Sequence, residues 1–253
     1  MSGRCLTVAM RGNDSFNGVW TQRKNNLSAL IPTRKTCPVS DPITTLESLY
    51  TAVVADVLDT LGHRRQTLST DIRAMTPTSR VCGRVFTAQA VDVNTIPEEP
   101  YKLEMAAIDS MQSGDVLVVD AGNNRQSAFW GELLSTACKA KGVRGAVMNT
   151  CTRDLWALVK MDFPVFAIGS TPADSKGRID VTEIGQPITM NDVNINTGDF
   201  VLGDEDGVVI IPTEILNDTL RLAREKISGE NTVRDDLTSG MPVTEAFSKH
   251  GIL

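Results

Sequence analysis

Apolar and polar residues recur along the chain with two different periods, and these periods predict most of the secondary structure. From Thr44 to Leu61, apolar residues recur every three or four positions, which predicts one amphipathic helix. Thr44 and Glu47 form a capping-box pattern at its start, and Gly62 should end it. Residues 80–93 are rich in β-branched and small side chains, so they predict one long strand or two short ones.

Helical and strand patterns then alternate over the middle of the chain. They predict three helices and three strands, in the order helix 101–112, strand 115–120, helix 127–141, strand 144–149, helix 154–161 and strand 163–169. Strands that alternate with helices are typical of parallel pairing, so at least part of the sheet should be parallel.

The pattern changes after Gly169. Residues 187–212 hold short apolar stretches broken by Asn, Asp and Gly, which favours antiparallel hairpins. From Thr213 the helical period returns with many charges, as expected for an exposed or subunit-crossing tail. We therefore predict a single α/β domain with a mixed sheet. The predicted divisions are an N-terminal extension (1–40), the α/β domain (41–212) and a helical tail at a subunit interface (213–253).

Length and composition fit a folded protein without disulfides. The chain has 253 residues, of which 41% are hydrophobic, enough to bury a substantial core. Its five cysteines are scattered and show no C-x-x-C spacing, which argues against a disulfide framework and a zinc ribbon. No run approaches the roughly 18 consecutive apolar residues of a membrane span, and the N-terminus lacks a signal peptide's apolar segment. We therefore expect a soluble, cytoplasmic protein with no membrane partner.

Charge is distributed unevenly. Residues 1–40 carry six Lys and Arg against one Asp, a balance of +5, so the total of −6 leaves −11 for the other 213 residues. An acidic body disfavours nucleic acid as a general partner, because phosphate contacts need an excess of Lys and Arg. The basic segment is interpreted as a terminal extension, an arm that packs on a partner subunit, or an organellar targeting peptide. It is neither Ser-rich nor clearly amphipathic, which favours the first two.

Several common catalytic motifs are missing from the sequence. There is no Walker A motif and no Gly-rich dinucleotide motif after a strand, so a nucleotide-dependent methyltransferase has no support. The two histidines, His63 and His250, lie close to predicted helix ends, which disfavours a catalytic triad or a His-rich zinc site. Carboxylates and arginines remain as candidates, and carboxylate and water ligands suit Mg²⁺ or Mn²⁺.

Ligands of open α/β sheets bind outside the carboxyl ends of strands, and two such junctions carry the candidate chemistry. After strand 115–120, the tetrapeptide GELL (131–134) brings backbone amides near a helix start, which suits a carboxylate. Glu132 in this tetrapeptide could orient a metal-bound water.

Arg153 and Asp154 follow the second junction, after strand 144–149. The planar guanidinium of Arg153 suits a carboxylate or keto oxygen, and Asp154 suits a cation. The alternative interpretation is that Asp154 only complements a helix N-terminus and that Arg153 is a solvated neighbour.

The segment WGELLSTACKAKGVRGAVMNTCTRDLWALVKMDFPVFAIGSTP (130–172) resembles the signature region of the RraA-like family. That family includes the 4-hydroxy-4-methyl-2-oxoglutarate and 4-carboxy-4-hydroxy-2-oxoadipate aldolases and the regulator of ribonuclease E activity. VADVLDTLG (54–62), GRVFTAQA (83–90) and GDEDGVVIIP (203–212) resemble its flanking segments, so the resemblance covers roughly residues 44–240. It implies a swivelling β/β/α fold, assembled as a homotrimer or a dimer of trimers with the active site between subunits.

The family's aldolases carry an acidic residue, twenty further residues and then Arg-Asp. Glu132 stands in that position relative to Arg153, so the spacing holds, although glutamate replaces the usual aspartate. By this resemblance, Asp154 ligates the metal directly and Glu132 does so through water. Arg153 binds the keto acid and stabilises its enolate. The residues implied to bind the substrate's carboxylate are those at the helix start, Gly131, Leu133 and Leu134.

A third catalytic candidate, Glu230, lies in the segment GENTVRDDLTSG (229–240). This segment resembles the acidic stretch that the family extends into the neighbouring subunit. Lys139 and Lys141 are the lysines near the motif, but their place at a predicted helix end suits solvent-facing residues, so a Schiff-base mechanism is not expected.

The resemblance predicts a lyase that cleaves a carbon–carbon bond of a small 2-oxo acid through a metal-stabilised pyruvate enolate. The enzyme would be a class II type aldolase or decarboxylase that uses Mg²⁺ or Mn²⁺. Its reaction would be a retro-aldol cleavage of a 4-hydroxy-2-oxo acid, oxaloacetate decarboxylation, or both. Loops 94–100 and 170–178 should set substrate specificity. The alternative is a non-catalytic regulator that binds a protein such as a ribonuclease, which the retained motif spacing disfavours.

Overall fold

A mixed β-sheet with helices packed against it forms the centre of the chain. The computed structural model describes residues 41–77 and 80–252. The basic segment 1–40, with the three interpretations given for it, lies outside the described residues.

Helices and strands alternate through the first two thirds of the described chain, and hairpins and long helices follow. The helices are α1 (Pro42–Leu46), α2 (Thr51–Thr60), α3 (Lys102–Ser110), α4 (Glu132–Ala140), α5 (Leu155–Met161), a 3-10 turn (Thr213–Ile215), α6 (Leu216–Thr238) and α7 (Val243–His250). The strands are β1 (Arg73–Ala74), β2 (Val81–Asp92), β3 (Asp115–Asp120), β4 (Ala128–Trp130), β5 (Gly145–Met148), β6 (Cys151–Thr152), β7 (Val165–Ala167), β8 (Gly169–Ser170), β9 (Ile179–Ile184), β10 (Ile188–Met190), β11 (Val193–Ile195), β12 (Phe200–Asp204) and β13 (Gly207–Ile211).

The large sheet is parallel at its centre and antiparallel at its edges. Its strand order is β1–β7–β5–β3–β2–β12–β13, and β9 also pairs with β2. The pairs β2–β3, β3–β5 and β5–β7 are parallel, and α3, α4 and α5 lie in the connections between them. The pairs β1–β7, β2–β12, β2–β9 and β12–β13 are antiparallel. The predicted α/β domain with a mixed sheet is therefore confirmed.

Two hydrophobic clusters hold the sheet. One joins β2, β3, β5 and β7 to the β10–β11 hairpin through Val85, Val118, Val147, Phe166, Met190 and Ile195. The other joins α1, α2 and α6 to β12 and β13 through Leu46, Val54, Leu58, Leu202, Ile211 and Leu216. Burial of each such side chain contributes roughly 1.5–3 kcal/mol. The central strands, whose carboxyl ends carry the candidate chemistry, are therefore firmly packed.

The predicted helix 44–61 is wrong in one respect, because it is two helices. Asp41, rather than Thr44, caps α1 through its side chain. Helix α2 starts afresh where the carboxylate of Asp204 accepts the backbone amide of Thr51 at 2.8 Å and its hydroxyl at 2.6 Å. Apolar spacing continues across the break, so the pattern alone could not reveal it.

The predicted helix 127–141 is also wrong at its start. Residues 128–130 form strand β4, and α4 begins only after Gly131. The predicted strand 144–149 forms as β5, and the short strand β6 that follows it was not predicted; the predicted strand 163–169 is divided into β7 and β8. The short strands β4, β6 and β8 form a parallel sheet of their own. Strand β9, which pairs with the end of β2, was not predicted.

The carboxyl-terminal third follows the predicted pattern. Residues 187–212 contain the antiparallel hairpins β10–β11 and β12–β13. In the tail, α6 packs on α2, and Lys249 and His250 of α7 contact Asp236 of α6 at 2.7 and 2.6 Å. The position of the tail at a subunit interface stays a prediction.

None of the helices in the described ranges is both long and apolar enough to span a membrane.

Candidate active site

The candidate site lies where the three short parallel strands end side by side. Strand β6 follows β5, and β8 follows β7, so the short sheet continues the parallel strands beyond their carboxyl ends. The amide of Arg153 donates to the carbonyl of Trp130 at 2.8 Å, and the amide of Thr171 donates to that of Thr152 at 3.0 Å. These bonds bring Gly131, Arg153 and Thr171, the residues that follow the three strands, to one edge. Ligands of α/β sheets bind at such edges.

Asp154 is the first residue before α5, but its carboxylate stabilises α4. Its backbone is left-handed (φ 58°, ψ 35°), an uncommon conformation for a residue with a side chain, and its side chain makes no capping bond to α5. Its Oδ2 instead accepts the backbone amide of Glu132, the first residue of α4, at 3.1 Å. The alternative interpretation is therefore correct in that Asp154 complements a helix N-terminus. That contact uses one oxygen, and Oδ1 makes no hydrogen bond to any described residue.

Gly131 lets this carboxylate approach the start of α4. A Cβ atom at position 131 would lie 2.5 Å from Oδ2 of Asp154 and 3.2 Å from Cγ of Arg153. Both distances are shorter than normal contacts, so a larger residue would displace the Arg-Asp pair. The glycine is needed here for close approach.

The start of α4 offers unused hydrogen-bond donors. The first intrahelical amide bond runs from Ser135 to the carbonyl of Gly131, at 3.2 Å. The amides of Leu133 and Leu134 precede it and have no acceptor within the helix, as is usual for a first turn. The half-buried carboxylate of Glu132 makes no hydrogen bond or ion pair within the described part of the chain. The two amides are available to an anion, and the carboxylate is available to a cation or a water molecule.

Arg153 lies between two carboxylates. Its Nη1 is 3.2 Å from Oδ1 of Asp174, and its Nε is 3.7 Å from Oδ2 of Asp154. Oδ2 of Asp174 accepts the hydroxyl of Tyr101 at 2.7 Å. Burial, together with the bond to Asp174, raises the pKa of Tyr101 to about 12, so this hydroxyl stays protonated and remains a donor.

Glu104 is a buried carboxyl beside this group. It is 8% exposed and makes no hydrogen bond or ion pair with the residues that the structure describes. Burial, reinforced by the negative charges of Asp174 and Asp180, raises the pKa of Glu104 to about 8, while Arg153 acts in the opposite direction. Such a shift beside a candidate site is typical of functional residues.

Sequence reasoning missed Tyr101, Glu104 and Asp174. Glu104 had a detectable signal, because it falls three and four positions before the buried residues Ala107 and Ile108 on the apolar face of α3. Asp174 lies within the predicted specificity loop, but nothing local in the sequence links it to a tyrosine 73 positions earlier.

A surface pocket of about 450 Å³ opens beside the Arg-Asp pair. It is lined by residues 153–156 and 170–172. Trp156 in this lining is 69% exposed, and Leu133 at the start of α4 is 79% exposed. The volume suits a small organic acid.

Glu230, the third catalytic candidate, lies apart from these groups within the chain. It sits on α6, where it accepts the hydroxyl of Tyr50 and lies 3.6 Å from Nζ of Lys226. Burial and the contact with Glu230 raise the pKa of Tyr50. A role for Glu230 in a neighbouring subunit's site stays a prediction.

The donors at the edge fit a hard divalent cation. No group of three or more His, Cys, Asp or Glu in the described ranges is arranged to hold a metal. Mg²⁺ needs only one or two protein carboxylates, because waters and substrate oxygens complete its shell. Oδ1 of Asp154 and the carboxylate of Glu132 satisfy this requirement, and oxygen donors favour Mg²⁺ or Mn²⁺.

Comparison with known proteins identifies the family. The model of the RraA-like family, described as aldolase/RraA, matches residues 51–210. The chain belongs to the RraA-like family. The matched range contains both the start of α4 and the Arg-Asp pair, and the predicted family resemblance is confirmed.

Individual relatives match over most of their length. A Halalkalibacterium halodurans protein named "Putative 4-hydroxy-4-methyl-2-oxoglutarate aldolase" is 30% identical over 207 residues, which cover 82% of this chain and 93% of the relative. An Aromatoleum aromaticum protein of the same name is 32% identical over 164 residues, covering 64% and 97%. The solved structure of Streptomyces coelicolor RraAS2, described as an unusual member of the RNase ES inhibitor RraA family, is 26% identical with a TM-score of 0.70. It covers 79% of this chain and 98% of RraAS2. The predicted RraA-like architecture is thereby confirmed.

Proposed function

We propose that this protein is a divalent-metal-dependent lyase that cleaves a carbon–carbon bond of a small 2-oxo acid and releases pyruvate. The names of its relatives support an aldolase-type lyase. The observation that carries the proposal is the edge formed by Asp154, Arg153 and the start of α4. There, one carboxylate oxygen and two backbone amides have no hydrogen-bond partner among the described residues, and the guanidinium of Arg153 forms ion pairs with Asp174 and Asp154.

The start of α4 binds the substrate's carboxylate in this proposal. The free amides of Leu133 and Leu134 point along the helix axis, and the helix dipole adds a favourable interaction of about 0.3–1 kcal/mol with an anion. The carboxylate of the 2-oxo acid is thereby fixed, and its keto oxygen is directed toward Arg153.

Arg153 stabilises the charge that develops on the keto oxygen. Cleavage of the bond between C3 and C4 moves an electron pair into the pyruvate unit, so negative charge accumulates on this oxygen. Loss of one well-placed donor of this kind typically lowers the rate on the order of 10²–10³-fold. A divalent ion held by Asp154 and, through water, by Glu132 would supply Lewis-acid stabilisation of the same oxygen.

Glu132 is our candidate for moving the proton in the retro-aldol reaction. Its carboxylate lacks a partner among the described residues, so it could accept the 4-hydroxyl proton of the substrate through an intervening water. Decarboxylation of oxaloacetate needs no such base, because carbon dioxide leaves instead. Replacement of Glu132 should therefore affect the aldolase reaction more than the decarboxylase reaction.

A pyruvate-release assay tests the proposed function. The purified protein is supplied with Mg²⁺, Mn²⁺ or a chelator and with a panel of 4-hydroxy-2-oxo acids and oxaloacetate. We expect pyruvate to form faster than in a protein-free sample with the same additions, and only when metal is present. Absence of pyruvate from every substrate would contradict the proposal.

A non-catalytic regulator is the second candidate, because RraAS2 is described as a member of an RNase inhibitor family. Exposed Leu133 and Trp156 would suit a protein surface. Co-purification of a large partner that is unaffected by Asp154→Ala would support this candidate.

A further inference from the structure

Asp174 connects the candidate substrate-binding arginine to a second helix. One of its oxygens, Oδ1, is 3.2 Å from Nη1 of Arg153. The other, Oδ2, accepts the hydroxyl of Tyr101, the residue before α3, at 2.7 Å. Asp174 therefore joins the loop after β8, the Arg-Asp pair and the start of α3.

The orientation of the Asp174 carboxylate is set independently of Arg153. Besides the Tyr101 bond, its Oδ1 accepts the amide of Ser175 at 2.9 Å. The backbone around it is also fixed, because residue 174 forms an isolated β-bridge to Ala128 of β4 and the carbonyl of Asp174 accepts Nη1 of Arg178 at 2.9 Å. These contacts fix the position of the Asp174 carboxylate without any contribution from Arg153.

Arg153 is held by two ion pairs, and part of its hydrogen-bonding capacity remains for a ligand. Its contacts with Asp174 and Asp154 are ion pairs, and its guanidinium makes no hydrogen bond within the described ranges. A guanidinium has five N–H donors, and the two ion pairs are made through Nη1 and Nε, so further donors remain for a ligand in the pocket. Both side chains of the Asp174 pair are more than a third exposed, so the pair adds little to stability. A positioning role accounts better for its place beside the pocket.

We propose that Asp174, held in place by Tyr101, is a positioning residue that fixes the guanidinium of Arg153 for the keto oxygen of the substrate. This inference rests on the proposed function. Without Asp174, the long side chain of Arg153 would sample other rotamers, and part of the ligand's binding energy would be needed to reorder it.

Two readouts test this role. The first is kcat and KM for pyruvate release. The second is the affinity for oxalate, a planar dianion shaped like the pyruvate enolate, measured by calorimetry with Mn²⁺ present. Asp174→Asn keeps the size of the side chain and removes the charge, and Tyr101→Phe removes the hydroxyl. We expect Asp174→Asn to lower kcat and oxalate affinity by roughly 10-fold or more, and Tyr101→Phe by less. The affinity for Mn²⁺ alone should stay unchanged.

A double-mutant comparison separates positioning from a structural role. If Asp174 acts through Arg153, Asp174→Asn should have little further effect in an Arg153→Ala background. The matched control is Asp59→Asn, which breaks an exposed pair with Arg64; neither residue lines the pocket, so both readouts should stay unchanged. The proposal is overturned if Asp174→Asn leaves kcat and oxalate affinity at wild-type values, or if its effect is equally large without Arg153. If the wild-type protein releases no pyruvate, the proposed lyase activity fails, whereas oxalate binding still tests the positioning.

Discussion

Asp204 and Asp154 each accept the first backbone amide of a helix, but they differ in whether a carboxylate oxygen remains without a hydrogen bond. Asp204 is 5% exposed, and its oxygens accept the amide and hydroxyl of Thr51 and the amide of Asp206. The side chain of Asp154 is 37% exposed and accepts one amide, from Glu132. A buried carboxylate with both oxygens occupied stabilises the fold, whereas a half-exposed one with a free oxygen can also bind a ligand.

Replacement of the two aspartates should give opposite results. Asp154→Ala is expected to lower pyruvate release on the order of 10³-fold. Its effect on stability should be small, about 1 kcal/mol, because it removes a single helix cap. Asp204→Ala leaves two buried donors without an acceptor, so we expect a loss on the order of 3 kcal/mol with little change in activity per folded molecule. Thermal unfolding and pyruvate release, measured on both variants, check this. If both variants lost activity per folded molecule to the same extent, the distinction between a ligand-binding and a purely structural aspartate would be wrong.

Gly131→Ala should disturb Asp154 while its carboxylate is retained. The added methyl group would lie 2.5 Å from Oδ2, so the carboxylate must move away from the start of α4. Displacement by about 1 Å in a catalytic site can lower the rate on the order of 10²-fold. We therefore expect kcat of Gly131→Ala to fall by this factor, while the variant still unfolds cooperatively in a thermal unfolding experiment. Wild-type kinetics would show that the contact with α4 is not needed for activity.

Glu104 differs from both aspartates, because it is buried like Asp204 but has no hydrogen bond to the described residues. Its pKa is about 8 in the folded protein and 4.5 in the reference state. The folded protein thus retains this proton to higher pH, so the associated stability is full below pH 4.5 and is lost as the pH rises through 8. Glu104→Gln should reduce this loss by a few kcal/mol, since one pKa unit corresponds to about 1.4 kcal/mol. Urea unfolding at pH 5 and pH 9 measures it, with exposed Glu98→Gln as the control. The same pH dependence in both variants would contradict the assignment.

Arg178 should have the smallest effect, limited to the distal end of the substrate. It is the last residue of the predicted specificity loop 170–178, and its guanidinium donates to the carbonyl of Asp174. We expect Arg178→Ala to raise KM for a dicarboxylate severalfold, roughly the contribution of one exposed ion pair, and to change inhibition by pyruvate analogues less. Arg64→Ala, at an exposed Arg–Asp pair, is the control. Equal changes for both ligand classes would argue against contact with a distal carboxylate.

Local pattern predicted the central elements well, and long-range contacts explain the errors. Strand β3 and helices α3 and α5 were predicted to within two residues at each end, since their period and their flanking residues agree. Residues 128–130, by contrast, are a short apolar run that fits a strand or a buried helix equally well. Only pairing with β6 makes them a strand.

The residues of the candidate site also fall into those that local sequence reveals and those that only long-range contacts bring together. Glu132, Arg153 and Asp154 could be found because their spacing is a property of the sequence. Tyr101 and Asp174 could not, since folding alone brings them together across 73 positions. The metal and the contribution of Glu230 from a neighbouring subunit remain predictions.

The most direct test of the central claim is pyruvate release by the wild-type protein, Asp154→Ala and Asp204→Ala, each with Mg²⁺ and with a chelator. The substrates are oxaloacetate and 4-hydroxy-4-methyl-2-oxoglutarate, and each variant is first confirmed to be folded. We predict metal-dependent pyruvate release by the wild-type protein and by folded Asp204→Ala, and a rate lower by on the order of 10³-fold for Asp154→Ala. Release above the protein-free rate that resists the chelator, or that persists at wild-type rates in Asp154→Ala, would contradict the proposed site.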